Sequence, residues 1–261
     1  MRYYVAADTH GYYKELMEAL REKGFFQDPG PKKLILCGDV YDRGREALAL
    51  QAFLLELMDK NEIILIRGNH EDLALHLLHE WHRGSYRTYR HQVNGTVDTV
   101  CQLTGSSQDD LNRQPEEVGR KFLKDDFIQK IIPSMMDYYE TAHYIFVHGW
   151  IPCIEEEDDM GKKTYKKMED WREADEYAWN RARWINGMEA AHSGVTEEGK
   201  TIVCGHWHTS FGHCHYEDDG GEFDNHPNFE PYYGEGIIAL DGCLPVSRKT
   251  NCIFIVDEEI N

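Results

Sequence analysis

The first eighty residues alternate between short apolar runs and stretches in which apolar residues recur at helical spacing. The runs are rich in β-branched and aromatic residues, which predicts strands, and the periodic stretches predict amphipathic helices. The predicted strands are 3–7, 33–37 and 62–67, and the predicted helices are 14–23, 46–60 and 71–81. Strands that are apolar throughout and alternate with helices are typical of a buried, largely parallel sheet. The pattern therefore predicts an α/β fold.

The remainder of the chain is predicted as a helical region followed by further strands. Residues 82–138 are polar and helical in pattern, residues 155–200 are highly charged and also helical in pattern, and residues 211–235 are rich in Gly, Asp, His and Pro, which predicts a long loop. The further strands are predicted at 144–147, 201–204, 237–240 and 252–256. Since neither a repeat nor a linker divides the sequence, we expect one domain over 1–261, with a helical insert at about 82–138 and a loop insert at about 211–235.

The composition is that of a globular chain with a strongly negative charge. Hydrophobic residues make up 41% of the 261 residues, which is enough for a packed core and argues against a disordered chain. The formal net charge is −19, and such a field repels phosphate backbones and anionic lipid surfaces. We therefore expect neither a nucleic-acid nor a membrane partner. A phosphorylated substrate would need local positive charge from metals or arginines.

Targeting and redox signals favour the cytoplasm. The apolar stretch after Met1 ends at Asp8 and is shorter than the apolar region of a signal peptide. The apolar segment 47–58 is interrupted by Gln51 and Glu56, which excludes a membrane span there. The seven cysteines form no Cys-x-x-Cys pair and are odd in number, so a disulfide framework is not expected.

Polar residues that bind metals follow five of the predicted strands. The five segments are Asp8-Thr9-His10-Gly11, Gly38-Asp39-Val40-Tyr41-Asp42-Arg43-Gly44, Gly68-Asn69-His70-Glu71, His148-Gly149 and Gly205-His206-Trp207-His208. A single such residue is commonly a helix cap or a structural histidine. Ligands of open α/β folds bind beyond the carboxyl ends of the strands, so five such ends can converge on one place. Together they predict a metal site built from carboxylate, amide and imidazole groups.

This series of motifs resembles the calcineurin-like metallophosphoesterases, and within them the bacterial type of the phosphoprotein phosphatase family of serine/threonine phosphatases. The motifs run from residue 8 to about residue 210, and Leu240-Asp241-Gly242 resembles the family's last strand and loop. The resemblance implies a four-layer α/β/β/α sandwich with a two-metal centre at the carboxyl ends of the strands.

The resemblance also assigns metal ligands. Asp8, His10 and Asp39 would hold the first metal, and Asp39 would bridge to a second metal held by three further side chains, namely Asn69, His148 and His206. The motif Gly-His-x-His is typical of the wider superfamily, in which the second histidine is an extra ligand, so His208 is a further candidate for the first metal. Mixed oxygen and imidazole ligation suits two divalent ions, with manganese expected and iron or zinc as alternatives.

Catalytic residues are implied in the same way. His70 would be the general acid that protonates the leaving alkoxide, and Asp42 would hold its far nitrogen, which favours the protonated ring. Arg43 would bind the phosphoryl oxygens in a bidentate contact. Trp179-Asn180-Arg181 resembles the stretch that supplies a second phosphate-binding arginine, so Arg181 is assigned this role, with Arg183 as a rival.

Four other features have an ordinary structural interpretation beside a functional one. Asp241 is either a carboxylate that orients a ligand histidine or a plain turn residue. The histidines of 213–226 suggest another metal site, but their spacing fits no strong template, and a solvated loop is expected. Residues 155–159 form a run of five acids that predicts a solvated loop, one that disfavours acidic peptide substrates. Cys37 and Cys204 are expected in the core, with an oxidation-sensitive site as the alternative.

The expected function is hydrolysis of phosphoserine or phosphothreonine in proteins. The resemblance implies that a hydroxide bridging the two metals attacks phosphorus in line while His70 protonates the leaving oxygen. The alternative is a symmetrical dinucleoside tetraphosphate hydrolase or another metallophosphoesterase of small molecules, which shares the metal motifs. A catalytically silent binding module would be favoured if a ligand or the acid were missing, and none is. The sequence leaves the substrate, the native metal and the oligomeric state open.

Overall fold

A computed structural model describes residues 1–157 and 163–259. The strands are β1 (Arg2–Ala6), β2 (Lys32–Cys37), β3 (Ile63–Ile66), β4 (Tyr139–Glu140), β5 (Tyr144–Phe146), β6 (Cys153–Glu157), β7 (Lys163–Lys167), β8 (Thr201–Cys204), β9 (Tyr232–Gly234), β10 (Ile237–Ala239) and β11 (Cys252–Val256). The helices are α1 (Tyr13–Glu22), α2 (Ala47–Asp59), α3 (Asn69–His79), α4 (Tyr89–Val93), α5 (Thr96–Thr104), α6 (Gln108–Arg113), α7 (Pro115–Leu123), α8 (Ile132–Ser134), α9 (Glu176–Ala182), α10 (Gly187–His192), α11 (Thr209–Tyr216) and α12 (Leu244–Ser247).

Two main sheets carry the site. The first has the order β11-β1-β2-β3, in which β1, β2 and β3 are parallel and β11 pairs antiparallel with β1. The second has the order β4-β5-β8-β10-β9, with β5, β8 and β10 parallel and an antiparallel strand at each edge. The parallel strands of each sheet therefore end at a common edge, as the sequence pattern predicts.

The sheets pack face to face because both sides of their strands are apolar. In β2, Ile35 and Cys37 point toward the second sheet, and Leu34 and Leu36 point toward the helices on the outside. The core between the sheets includes Tyr3, Val5, Ile35, Cys37, Ile64, Ile66, Phe146, Val203 and Leu240. Separate apolar clusters join the outer face of each sheet to helices, so the layers run α/β/β/α. The predicted fold class is confirmed.

Two sequence predictions of local structure are wrong in part, although 155–200 does contain helices α9 and α10 and residues 217–231 lie outside helices and strands as expected. The predicted helical region 155–200 begins with the antiparallel hairpin β6–β7. Opposite charges stabilise it across the strands, as in the ion pair of Lys166 Nζ and Glu156 Oε2 at 2.9 Å. The first three acids of the run 155–159 therefore lie in a strand, while Asp158 and Asp159 lie outside the described residues.

The predicted loop 211–235 contains most of helix α11 and strand β9. The helix is stabilised by the contact of His213 with Glu217 one turn later, and the His213 ring also bonds the carbonyl of Glu230. His213 is buried rather than solvated, whereas His226 is exposed. In both regions the sequence is charged and polar, and its helices and strands depend on strand pairing and on contacts with distant residues, which the local pattern does not show.

All seven cysteines are free thiols, with Cys37 and Cys204 fully buried. Within the described part of the chain, each helix is too short or too polar to cross a bilayer.

Candidate metal centre

Several residues in the loops that follow the strands have a positive backbone φ, which non-glycine residues rarely adopt. Six of the non-glycine residues with positive φ stand in the predicted motifs, namely Asp8, His10, Asp39, Asp42, Arg43 and His206. Each such residue costs about 1–3 kcal/mol, and clusters of them mark functional sites. The backbone is therefore bent so that these side chains converge.

Backbone hydrogen bonds join the loops after β1 and β2. The N–H of Asp8 donates to Gly38 O at 3.2 Å, that of His10 to Asp39 O at 2.9 Å, and that of Gly11 to Val40 O at 2.7 Å. The first two motifs are thus fixed as one ladder. Asp8 in turn accepts the backbone N–H of His206 from the other sheet, at 2.9 Å to Oδ2.

A buried carboxylate supports the second and third motifs. Glu71 accepts the N–H groups of Gly68 at 2.8 Å, Asp39 at 3.1 Å and Val40 at 3.0 Å. Burial, followed by the nearby Asp39, raises the pKa of Glu71 to about 7. The Glu71 side chain fixes the relative position of the loops after β2 and β3.

Asp39 lies at the centre of the cluster. Its Oδ2 is 3.9 Å from His10 Nε2 and 3.8 Å from His70 Nε2, and its Oδ1 is 3.3 Å from His148 Nε2. On the second-sheet side, Asn69 Oδ1 is 2.7 Å from His148 Nε2 and 3.0 Å from His206 Nδ1. The structure therefore brings together six predicted ligands, listed as Asp8, His10, Asp39, Asn69, His148 and His206.

Hydrogen bonds on the outer ring nitrogens of the histidines direct the ring lone pairs into the cluster. The Nδ1–H of His10 donates to Tyr41 O at 3.0 Å, and the Nδ1–H of His148 donates to Cys37 O at 2.8 Å. The His206 ring also bonds the backbone of Trp184. A hydrogen bond on the outer nitrogen fixes the lone pair on the inner one.

The electrostatics of the cluster also suit a cation. Burial lowers the pKa values of His10 and His148, and that of His206 to about 3, with neighbouring cationic groups adding to the effect. These rings are therefore neutral, as metal ligands must be. Burial alone would raise the pKa of Asp39, but attraction to positive charge on the surrounding histidines, led by His148, lowers it below the usual range. The Asp39 carboxylate thus favours a positive charge beside it, which a metal ion would supply when the imidazoles are neutral.

Two groups of side chains are close enough to hold an ion each. One is His10, Asp39 and His70, and the other is Asp39, His148 and His206; within each group the donor atoms lie within 4.8 Å of one another. Asp39 belongs to both, which is the arrangement that a bridging carboxylate requires. The donor set fits divalent manganese, iron or zinc.

His70 is held by an extended hydrogen-bond chain. Its Nδ1 is 2.7 Å from Asp42 Oδ2, which also accepts the Thr96 hydroxyl at 2.8 Å. The Thr99 hydroxyl donates to Asp42 Oδ1 at 2.7 Å and accepts the Asp42 backbone N–H at 3.1 Å. Burial opposes protonation of His70, but Asp39 and Asp42 outweigh it and raise its pKa. Sequence reasoning missed the two threonines of α5.

Arg43 lies beside both His10 and His70. Its NH1 is 2.8 Å from His10 Nε2, and its NH2 is 3.2 Å from His70 Nε2. The guanidinium plane thus covers the inward side of the first group of ligands. A planar fork in this position can bind two oxygens of one phosphoryl group.

The two arginines of the α9 region differ in burial and in hydrogen-bond partners. Arg183 is buried, with NH1 2.7 Å from Asp72 Oδ2 and NH2 in contact with Asp137. Arg181 is exposed, and against the raising effect of burial its positive charge acts to lower the pKa of the Cys153 thiol, which lies outside the cluster. Within the described residues, the structure gives it no hydrogen bond to a predicted ligand. Sequence reasoning missed the Asp72 and Asp137 partners because they lie in other segments.

His208 and Asp241 lie at the rim of the cluster. His208 Nε2 is 2.9 Å from Glu222 Oε1, and the buried Nδ1 has no hydrogen-bond partner among the described residues. It stands apart from the two groups that could hold an ion. Asp241 is buried, accepts the Cys243 N–H at 2.8 Å and faces Asp8. Burial raises the pKa of Asp241 to about 6.

Comparisons with curated proteins give two kinds of relative. The chain is 23% identical to an asymmetrical bis(5'-nucleosyl)-tetraphosphatase, PrpE, of Bacillus velezensis over 175 residues, which is 65% of this chain and 63% of that protein. It is 40% identical to serine/threonine-protein phosphatase 1 of Salmonella typhimurium over 72 residues, 28% of this chain and 31% of that protein. The matches thus span less than two thirds of each relative.

The fold and the family are shown more broadly. A cold-active protein-tyrosine phosphatase of a psychrophilic Shewanella species superimposes with a TM-score of 0.54 at 16% identity, covering 97% of this chain and 74% of that one. Residues 1–225 match the family described as calcineurin-like phosphoesterase. The chain therefore belongs to the calcineurin-like phosphoesterase family, a family of hydrolytic enzymes.

Proposed function

We propose that the chain is a metal-dependent phosphomonoesterase that hydrolyses phosphoserine and phosphothreonine in proteins. The observation that carries this proposal is the His70 imidazole, which has Asp42 on Nδ1 and Nε2 3.8 Å from Asp39 Oδ2. An alkoxide is a poor leaving group and needs a proton donor at the metal centre. Arg43 NH2 lies 3.2 Å from His70 Nε2, and a guanidinium can only donate, so Nε2 accepts in this geometry. Once Arg43 binds the phosphoryl group instead, a protonated His70 held by Asp42 would supply that proton from Nε2.

Each side chain then has a role. Asp8, His10 and Asp39 would hold one divalent ion, and Asp39 with three further residues, Asn69, His148 and His206, would hold another. This assignment keeps His10, Asp39, His148 and His206 from the two groups described above, adds Asp8 and Asn69 from the sequence motifs, and leaves His70 as the acid. When bound, the two ions acidify water and neutralise phosphoryl charge. Arg43 would bind phosphoryl oxygens beside His70.

Two further roles are part of the proposal. The buried Nδ1 of His208 has no hydrogen-bond partner among the described residues, and with Nε2 on Glu222 its lone pair is available. We therefore propose it as an additional ligand of the first ion, although His208 lies outside the two groups that could hold an ion in this structure. Arg183 is engaged by Asp72 and Asp137, which leaves the exposed Arg181 as the second phosphate contact. Manganese is the proposed metal. The seven free thiols are compatible with the reducing cytoplasm as the compartment.

A dinucleoside tetraphosphate hydrolase is the second candidate. Trp184 is 44% exposed and its ring lies 5.8 Å from that of His206. The Arg90 guanidinium stands 5.9 Å from the same indole. An exposed indole beside a proposed metal ligand suits a stacked nucleobase, and the PrpE relative is named for this activity.

The test compares phosphate release from a phosphothreonine peptide with cleavage of diadenosine tetraphosphate, both with added manganese. We expect peptide turnover that His70→Asn reduces by about 10²–10⁴-fold, the usual contribution of a general acid. His79→Asn is the matched control, since His79 lies on the same helix with its side chain 82% exposed. Cleavage of the dinucleotide alone would replace the first candidate by the second.

A further inference from the structure

A basic groove opens beside Arg43 on the surface of this acidic protein. Its volume is about 480 Å³, and four cations line it, namely Lys14, Arg43, Arg45 and Arg248. Only two carboxylates, those of Glu15 and Glu46, share the lining, so the groove carries a local charge of +2 in a chain of −19. Such a local reversal of sign concentrates anions at one place on the surface.

Two helix starts add to the positive potential. Helix α1 begins at Tyr13 and helix α2 at Ala47, and lining residues stand at or just before the first turn of each. The aligned peptide dipoles make the start of a helix favourable for negative charge. The N–H of Lys14 donates to Glu46 Oε2 at 3.1 Å and that of Ala47 to Gln102 Oε1 at 3.1 Å, so the helix dipoles contribute here rather than free N–H groups.

The groove is continuous with the metal centre through Arg43. The guanidinium of Arg43 contacts His10 and His70, and the same residue lines the groove. Arg248 also lines the groove, with its guanidinium 5.2 Å from the Tyr12 ring. The residues flanking a phosphate that reaches His70 can therefore enter the groove that Arg45 and Arg248 share.

We propose that this groove binds acidic side chains flanking the phosphorylated residue of a peptide substrate. The inference rests on the proposed protein phosphatase function. Glu15 and Glu46 decide the chemical class, because the carboxylates within the lining would repel the dense charge of a polyphosphate chain. Single carboxylates spaced along a peptide can meet the arginines and avoid these two acids.

The test measures kcat and KM for phosphothreonine peptides with either two aspartates or two lysines on the N-terminal or the C-terminal side. We expect kcat/KM to be about tenfold higher for an aspartate-flanked peptide, mainly through KM, and the advantage to shrink between 50 and 500 mM salt. The double variant Arg45→Glu, Arg248→Glu should abolish or reverse the preference. Its turnover of p-nitrophenyl phosphate, which has no flanking residues, should change less than about twofold.

Arg113→Glu is the control for charge, since it makes the same change as each one of the two groove substitutions, at an exposed position of α6. Equal rates for both kinds of peptide, or an equal effect of Arg113→Glu, would overturn the proposal. Stronger competitive inhibition by tripolyphosphate than by an acidic peptide would also overturn it. Calorimetric binding of an unphosphorylated acidic peptide to the metal-free protein tests the groove independently of turnover. Absence of turnover on every phosphopeptide, with peptide binding intact, would reject the proposed activity and retain the groove as an acidic-peptide site.

Discussion

The carboxylate of Glu71 accepts the backbone N–H of Asp39 at 3.1 Å, although the two residues follow different strands. The same side chain accepts N–H groups on both sides, from Gly68 and Val40. One buried carboxylate thereby fixes the distance between Asp39 and Asn69, the ligands that would share the second ion.

Replacing Glu71 with Gln should loosen both loops. An amide puts an NH2 group where an oxygen accepts hydrogen bonds, so at least one buried N–H loses its partner, at a cost of about 1–3 kcal/mol. Manganese affinity should fall about 10–100-fold, because partners that orient ligands contribute that much. Urea denaturation of the metal-free protein and calorimetric manganese titration measure the two effects. Unchanged affinity would show that Glu71 does not position the ligands.

Replacing Thr99 with Val should slow turnover in a way that depends on the leaving group. Asp42 loses the hydroxyl that binds both its Oδ1 and its N–H, so His70 is held less well. We expect about tenfold slower hydrolysis of a phosphothreonine peptide and little change with p-nitrophenyl phosphate, whose leaving group needs no proton. Thr99→Ser should restore the rate. Thr104→Val is the control, since the Thr104 hydroxyl bonds Val100 O instead. Equal slowing on both substrates would exclude a role through the acid.

Replacing Gly205 with Ala should displace Asp8. A Cβ at residue 205 would lie 2.0 Å from Asp8 Oδ2 and 2.7 Å from Ala7 Cβ. Overpacking of this kind costs about 1–3 kcal/mol, and we expect weaker manganese binding because a proposed ligand moves. Gly199→Ala serves as the control, since its Cβ would meet open space and only its positive φ of 73° is strained. Equal manganese affinities of the two variants in a titration would contradict this prediction.

Removing metal should abolish phosphate release and lower stability together. An ion that binds only the folded state, and is present at a concentration 100 times its dissociation constant, adds about 2.7 kcal/mol to the free energy of unfolding. Asp39→Asn should lose most of this gain, because Asp39 belongs to both groups of ligands. Thermal unfolding with and without chelator measures the difference. Full phosphate release in excess chelator would rule out the metal mechanism.

Asp257, where the two sheets meet, should make the free energy of unfolding depend on pH. Burial alone would raise its pKa, but hydrogen bonds from His143 and Thr141 lower it to about 2. A lowered pKa contributes stability above the unfolded pKa of about 4, and that stability is lost as the pH falls toward 2. Asp257→Asn should therefore cost about 1 kcal/mol at pH 7, a modest value because the His143 side chain is 70% exposed. Urea denaturation should show this gap narrowing between pH 5 and pH 3, whereas a constant gap would contradict the assignment.

The sequence predicts which side chains converge at the strand ends where each of them directly follows its own strand. Asp39 and Asn69 each follow an apolar strand directly, so residue type and strand end are sufficient to place them at one edge of a sheet. Thr96 and Thr99 lie 54 and 57 residues from Asp42 and carry no pattern that links them to it. Their contribution depends on how the helices of 82–138 pack, which periodicity alone does not determine.

The fold is likewise predicted where the sequence pattern is local, and not where distant contacts decide the structure. Strands buried on both faces, such as β2, are predicted correctly because apolar runs have few alternatives. The hairpin β6–β7 is stabilised by pairs such as Glu156 with Lys166, and their alternation of charge is equally compatible with a solvated helix.

The pairing of β1 with β11 has a consequence for synthesis. Tyr4 lies opposite Phe254, so the first strand acquires its outer neighbour only when the last strand has been made. At about 5–20 residues per second, β1 keeps an open edge on the ribosome for roughly 10 to 50 s. Open edges recruit foreign strands. The strand that leads into Asp8 is therefore open to such pairing until residues 252–256 have left the ribosome.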